Sequence, residues 1–158
     1  MGQEVIIPDN AVELVKKWEG FHRVDPKTGL AHPYLCPANV WTIGYGSTRL
    51  ADGSRVAPDT SPITREQADD LMRFELARCV SSALALTPTL YGDKLGAIAS
   101  FIFNLGAGRY KASTLRRKVA EGDWEEAANQ IQKWVFAGGR RLPGLVARRK
   151  DEAKYLWP

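Results

Sequence analysis

The chain has only two cysteines, no basic N-terminal leader and no long hydrophobic run, and these absences exclude several protein classes. Cys36 and Cys79 are too few for the disulfide framework of a small secreted scaffold, so we expect both to remain thiols. Segment 1–9 contains an apolar run of only three residues, which predicts neither a signal peptide nor a membrane span.

Signals for metal or nucleic-acid binding are equally sparse. The two histidines, His22 and His32, do not have the short spacing of a helical metal pair, so we interpret them as surface residues and expect no metal or other cofactor. A net charge of +4 suits an anionic polymer, an anionic surface or nucleic acid. No basic motif interleaved with aromatic residues is present, which argues against nucleic acid.

Periodic apolar residues predict a mainly helical chain. The run from Ala11 to Trp18 predicts a first helix that ends at Glu19, before Gly20. Thr64 and Gln67 form a capping-box signal that opens a long helix extending toward Leu84. Shorter helices are expected at about 91–104, 113–120, 124–135 and 145–155.

One segment, Val40–Thr48, combines β-branched and aromatic residues with glycines, and we interpret it as the only β-rich stretch. The predicted fold class is therefore α+β, in one domain spanning 1–158. A small β-containing lobe at about 21–62 and a larger helical lobe at about 1–20 and 63–158 would be joined by the long helix, with a cleft between them.

Glu19 is the first candidate catalytic residue. The negative end of the helix dipole disfavours a carboxylate at this position, and the neighbouring indole of Trp18 would exclude water. A carboxyl that keeps its proton can donate it to a leaving oxygen. The alternative is a solvated carboxylate at a helix end, which is the common fate of a single glutamate.

Glu19, Cys36 and Thr42, together with the run Trp41–Gly46, resemble the active region of phage-type lysozymes, glycoside hydrolase family 24. That family has a Glu at the end of its first helix and an Asp six positions before the Thr of a Thr-Ile-Gly-x-Gly strand. In this resemblance Cys36 stands where the family usually has Asp, and the interval from Glu19 is longer than in the family, which implies that part of 21–33 is inserted. The alternative for Cys36 is a small buried hydrophobe.

The resemblance continues to Leu156 and implies a lysozyme-like fold with substrate contacts at Thr48, Phe103, Asn104 and Arg148. The helical part of the match consists of Phe103–Gly106, Ser113–Leu115, Gly122–Trp124, Trp134–Val135, Gly138–Gly139, Leu142–Leu145, Arg148–Arg149 and Glu152.

The implied activity is that of an endolysin muramidase, which hydrolyses the β-1,4 bond between N-acetylmuramic acid and N-acetylglucosamine in peptidoglycan. Glu19 would protonate the bridging oxygen, and Thr42 would hold the attacking water or steady its partner. Cys36 would act as a nucleophile, retaining configuration, or would orient water and act partly as its base, inverting configuration. Asp25, in the insertion, is a rival second carboxylate. Competing functions are a lytic transglycosylase and a catalytically inactive peptidoglycan-binding relative.

The resemblance also implies a setting for the activity. We expect a monomer that waits in the host cytoplasm until a holin lesion admits it to the cell wall. Two basic groups, Arg140–Arg141 and Arg148–Lys150, are interpreted as a solvated helix face. Attraction of these groups to an anionic wall or outer-membrane surface is the alternative.

Overall fold

The computed structural model describes residues 4–158, so the first three residues of the N-terminal segment considered above lie outside the described part. The chain forms two compact units, one of Val15–Glu75 and one of Leu76–Pro158 together with the residues up to Leu14. The boundaries between the units fall inside two helices, α1 (Asp9–Glu19) and α2 (Arg65–Leu86).

The unit Val15–Glu75 contains a small antiparallel sheet. Strand β1 (Tyr34–Leu35) pairs with β2 (Trp41–Thr42), and Tyr34 lies opposite Thr42. After β2 the chain makes a tight loop, because the backbone groups of Ile43 and Ser47 bond each other at 2.8 and 3.0 Å. The core of the unit is formed by Ala31, Ile43, Tyr45, Val56, Ala68 and Met72.

The other unit is built around α3 (Gly92–Leu105), in which every residue from Leu95 to Ile102 is buried. The Thr87 and Tyr110 hydroxyls share a buried hydrogen bond of 2.7 Å near it. The remaining elements are α4 (Ala107–Lys111), α5 (Thr114–Glu121), α6 (Trp124–Ile131), β3 (Phe136–Ala137), β4 (Arg140–Arg141) and α7 (Pro143–Leu156).

The helices predicted from periodicity are present, and the α+β class is confirmed. The expectation that 40–48 is the only β-rich stretch is wrong, because β3 and β4 form a second antiparallel sheet. The helix expected to reach 135 ends at Ile131. The turn of the second sheet is Gly138–Gly139, with φ of 57° and 75°, and paired glycines favour such a two-residue hairpin.

Arg148 and Arg149 are buried, with relative exposures of 3% and 0%, so their interpretation as part of a solvated helix face is wrong. Both lie within one helical turn of Glu152 and pair with its buried carboxylate. Ser100 donates a further hydrogen bond of 2.7 Å to the same carboxylate. The two guanidinium charges are thereby partly neutralised inside the unit.

Over the described range 4–158, no helix is long and apolar enough to cross a membrane. Cys36 and Cys79 lie within this range and form no disulfide.

Candidate active site

Glu19 is the last residue of α1, and its position depends on two glycines. Gly20 follows with φ of 71°, and its amide donates to the Lys16 carbonyl at 3.1 Å, which ends the helix. Gly46, with φ of 86°, lies so close to Glu19 that a Cβ there would be 2.8 Å from Oε2. The absence of a side chain at Gly46 therefore lets the loop after β2 lie against the Glu19 carboxyl group as it stands.

Glu19 lines a groove of about 470 Å³, and all residues that line this groove belong to the unit Val15–Glu75. Three residues predicted from the sequence, Cys36, Thr42 and Thr48, line it with Glu19. Among the described residues that line the groove, Glu19 is the sole carboxylic acid. The other lining residues are His22, Arg23, Tyr34, Pro37 and Gly46.

Cys36 begins the turn that joins β1 to β2. Its amide donates to the Val40 carbonyl at 3.0 Å, and its carbonyl accepts from Asn39, which has φ of 60°. Burial alone would raise the pKa of the Cys36 thiol. Hydrogen bonds from the Val40 and Ala38 backbone and from the Thr42 hydroxyl outweigh the effect of burial, so the pKa of the thiol is lowered. The turn therefore favours the thiolate by hydrogen bonding.

Thr42 is almost fully buried, with 3% exposure, and its hydroxyl faces two acceptors. It donates to the Val40 carbonyl at 2.9 Å, and hydrogen bonding from the same hydroxyl to the Cys36 sulfur is one of the causes that lower the pKa of that thiol. A hydroxyl carries a single proton, so it can serve only one of these acceptors at a time. Ionisation of Cys36 would draw this proton toward the sulfur.

Residues 24–31, within the segment expected to contain an insertion, fold as a hairpin. The Asp25 amide donates to the Leu30 carbonyl at 2.9 Å, and the Asp25 carboxylate accepts from the Lys27 amide at 2.8 Å. Ala31 pairs with Ile63 through two backbone hydrogen bonds of 2.8 and 3.0 Å. Asp25, considered above as a rival carboxylate, caps this turn and is not among the residues that line the groove.

Three polar groove residues received no role in the site from the sequence: Arg23 and Tyr34 were not considered, and His22 was interpreted as a surface residue. His22 Nε2 lies 2.6 Å from the Glu19 carbonyl oxygen, and its ring meets the Tyr34 ring edge-on at 5.6 Å between centroids. A signal for Tyr34 existed, because alternate residues of a strand share a face and Tyr34 is two positions before Cys36. His22 and Arg23 lie in the segment 21–33, where the expected insertion leaves the family pattern without a guide.

Tyr34 is electrostatically linked to both reactive groups. Burial raises the pKa of its phenol, and the negative charges of Glu19 and Cys36 raise it further. The phenol therefore stays protonated when either neighbour is ionised, and it keeps a hydrogen-bond donor inside the groove.

The remaining predicted site residues, Phe103, Asn104 and Arg148, belong to the other unit. Asn104 accepts a hydrogen bond from Arg149, and Arg148 donates to the Ser100 carbonyl at 3.1 Å. Their substrate contacts stay a prediction. Within residues 4–158, no group of three or more His, Cys, Asp and Glu side chains is arranged to hold a metal ion.

Comparison with known proteins identifies the family. Residues 16–152 match the family model described as phage lysozyme. An endolysin of Acyrthosiphon pisum secondary endosymbiont phage 1 is 33% identical over 152 residues, covering 92% of this chain and 94% of that protein.

Two solved structures show the same fold. An endolysin from Escherichia coli O157:H7 phage FAHEc1 has a TM-score of 0.81 at 24% identity, covering 99% of this chain and 95% of that one. The muramidase domain of SpmX from Asticaccaulis excentricus has a TM-score of 0.77 at 29% identity, covering 98% and 99%. The resemblance in the sequence is confirmed, and the chain belongs to the phage lysozyme family.

Proposed function

We propose that this protein is an endolysin muramidase that hydrolyses the β-1,4 bond between N-acetylmuramic acid and N-acetylglucosamine. Family membership supports a glycoside-hydrolase-type enzyme that acts on peptidoglycan. The observation that carries the finer proposal is local: a carboxyl at the end of α1 and a thiol with a lowered pKa line one groove. Glycoside hydrolysis uses such a pair, an acid for the leaving oxygen and an anionic group for the other ring face.

Glu19 is the proposed general acid. Its carboxyl gives a proton to the bridging oxygen as the bond from that oxygen to the anomeric carbon breaks. Gly46 leaves the carboxyl accessible from the groove, because any side chain at this position would occupy the space next to Oε2. General acid catalysis typically accelerates such a reaction by about 10²- to 10⁴-fold.

Cys36 and Thr42 act on the opposite ring face in this proposal. As a thiolate, Cys36 has two alternative routes. It either attacks the anomeric carbon to form a glycosyl-enzyme, whose carbon–sulfur bond water then breaks so that configuration is retained overall, or it orients and partly deprotonates water, whose direct attack inverts configuration. The Thr42 hydroxyl supports either route, because it hydrogen-bonds the sulfur when the sulfur is charged. It can also accept a hydrogen bond from a water in the groove.

One observation favours a second candidate, lytic transglycosylase activity. That chemistry needs one acid and no second carboxylate, and Glu19 is the sole carboxyl among the described residues that line the groove. In this reaction the substrate's own hydroxyl attacks the anomeric carbon in place of water, so the product carries an anhydro sugar. Chemical analysis of the muramic ends of digested peptidoglycan separates the two reactions.

The proposal predicts that Glu19→Gln lowers the rate of wall clearing by about a hundredfold or more, because the amide keeps the shape but has no acidic proton. Turbidity of purified peptidoglycan measures clearing, and binding to the same walls should be unchanged. Glu13→Gln, on the exposed face of the same helix, is the matched control and should clear walls normally.

Equal clearing by Glu19→Gln and the parent would reject Glu19 as the acid. Reducing muramic ends support the muramidase, anhydro ends support the transglycosylase, and wall binding without any product supports the inactive relative. Release by a holin in the host cell, attraction to anionic surfaces and a monomeric state remain predictions of this proposal.

A further inference from the structure

Tyr34 occupies a central position among the reactive groups, although the proposed reaction assigns it no step. It lies on β1 directly opposite Thr42 in the antiparallel register. Its strand leads into the turn that carries Cys36, and its side chain lines the same groove as Glu19. One phenol is thereby placed in the groove with all three predicted catalytic residues.

The Tyr34 ring is held in place from the side of Glu19. His22 Nε2 is within hydrogen-bond distance of the Glu19 carbonyl oxygen, and the imidazole contacts the Tyr34 ring edge-on with 68° between the planes. The backbone that ends α1 thus fixes the ring that lines the groove. A fixed donor is useful in catalysis, because it need not reorganise when charge develops.

The charge in this groove changes during the proposed reaction. When Glu19 gives its proton to the leaving oxygen, a neutral carboxyl becomes a carboxylate, and the bonding electrons leave with the sugar oxygen. Tyr34 is a neutral group in the lining of the same groove, and the negative charges of Glu19 and Cys36 both raise the pKa of its phenol. A hydrogen bond to a charged acceptor is stronger than one to a neutral acceptor.

We propose that Tyr34 is a positioning residue for this reaction, whose hydroxyl donates a hydrogen bond to the carboxylate that Glu19 becomes after proton transfer. The inference rests on the proposed function, because it assigns Tyr34 a role in the step that Glu19 performs. The hydroxyl stabilises the charged product of that step and leaves substrate binding essentially unaffected.

Tyr34→Phe tests this role because it removes one oxygen atom and keeps the ring against His22. We expect kcat on soluble peptidoglycan fragments to fall about tenfold, with KM within about twofold of the parent. The alkaline limb of the pH profile should move to higher pH, because the carboxylate form loses a donor. Tyr91→Phe is the matched control, since Tyr91 is 82% exposed and does not line the groove.

A second measurement needs no activity. In ¹³C-labelled protein, the Tyr34 resonance is the one of five tyrosine signals that Tyr34→Phe removes. Its titration midpoint should fall in Glu19→Gln, because the variant lacks the charge that opposes phenol ionisation, and Glu13→Gln should leave it unchanged. Failure of the midpoint to move overturns the contact, even if Tyr34→Phe does not fold.

The outcomes for the two proposals are distinguishable. If the parent and Glu19→Gln cleave peptidoglycan equally, the proposed function fails, while the titration still decides whether Glu19 and Tyr34 are coupled. If the parent is active and Tyr34→Phe keeps its kcat and pH profile, the muramidase stands and the positioning role is overturned.

Discussion

At the scale of single residues, the surroundings of Cys36 favour its anionic form. A thiol is a weaker acid than a carboxyl and is mostly neutral at pH 7 unless its environment favours the anion. The turn between β1 and β2 supplies two backbone hydrogen bonds, and Thr42 adds a hydroxyl. The proposed role of Cys36 as an anion therefore depends on hydrogen-bond donors that could not be predicted from the sequence.

This dependence predicts how Cys36 reacts with iodoacetamide. Because its pKa is lowered, the alkylation rate should rise to its plateau at a lower pH than for an ordinary thiol. Thr42→Val removes one donor to the sulfur, so the midpoint of the rate against pH should move upward. Mass spectrometry of the peptide containing Cys36 measures the rate. Thr48→Val, also in the groove, is the control, and an unchanged midpoint in Thr42→Val would contradict the assigned hydrogen bond.

The groove residues predicted from the sequence stand in a recognisable local sequence context. Glu19 stands where an apolar run meets a glycine, and Thr42 begins a recognisable strand motif. Tyr34 and the burial of Arg148 were missed for a different reason. A tyrosine and an arginine are common surface residues, and only the partners that folding brings near them, Glu19 for one and Ser100 for the other, give them a role.

At the scale of elements, the close packing of α1 on α3 depends on one glycine. Gly96 is buried in α3, and a Cβ there would lie 1.8 Å from Oδ1 of Asn10. Asn10 is itself buried and donates from Nδ2 to the Asp93 carbonyl at 2.8 Å. Asn10 therefore lies inside α1 and joins this helix to α3.

Gly96→Ala should consequently lower the free energy of unfolding by about 1–3 kcal/mol, because the new methyl group displaces Asn10. Denaturant unfolding measures the change. In the Asn10→Ala background the same substitution should be less damaging, since the clashing amide is gone. Gly144→Ala in α7 is the control, because a Cβ added there would meet no atom within 4 Å beyond its chain neighbours and the nearby backbone of its own helix, and the variant should differ from the parent by less than about 1 kcal/mol. Equal losses in both backgrounds would contradict this packing.

The helices and strands differ in how clearly the spacing of apolar residues in the sequence predicts them. The helices were predictable because burying one face imposes a spacing of three or four residues over many turns. The sheets are only two residues long on each strand, too short for alternation to be visible. The pair Gly138–Gly139 was the signal for a hairpin in this part of the sequence. The apolar residues before this pair continue the helical spacing of α6, so the sequence favoured a longer helix over a strand.

At the scale of the whole molecule, the electrostatic feature to test against the proposed substrate is a net positive charge carried by several elements. The chain carries +4, but Arg148 and Arg149 pair with Glu152 inside their unit and present no solvated charge. Exposed basic residues are instead distributed over several elements, among them Arg78 in α2, Arg109 in α4 and Arg140 in β4. A distributed charge attracts a polyanion over distances set by the ionic strength.

Clearing of intact walls should therefore slow several-fold as salt rises from 0.1 to 1 M, because the screening length shrinks from about 10 Å to about 3 Å. Arg140→Gln with Arg141→Gln lowers the net charge by two and should reduce this salt dependence. Arg78→Gln with Arg109→Gln makes the same change in charge elsewhere on the surface. If net charge governs the attraction, turbidity assays will show the same reduction for both double variants. A reduction confined to the Arg140 and Arg141 variant would instead locate the attraction in the β3–β4 hairpin.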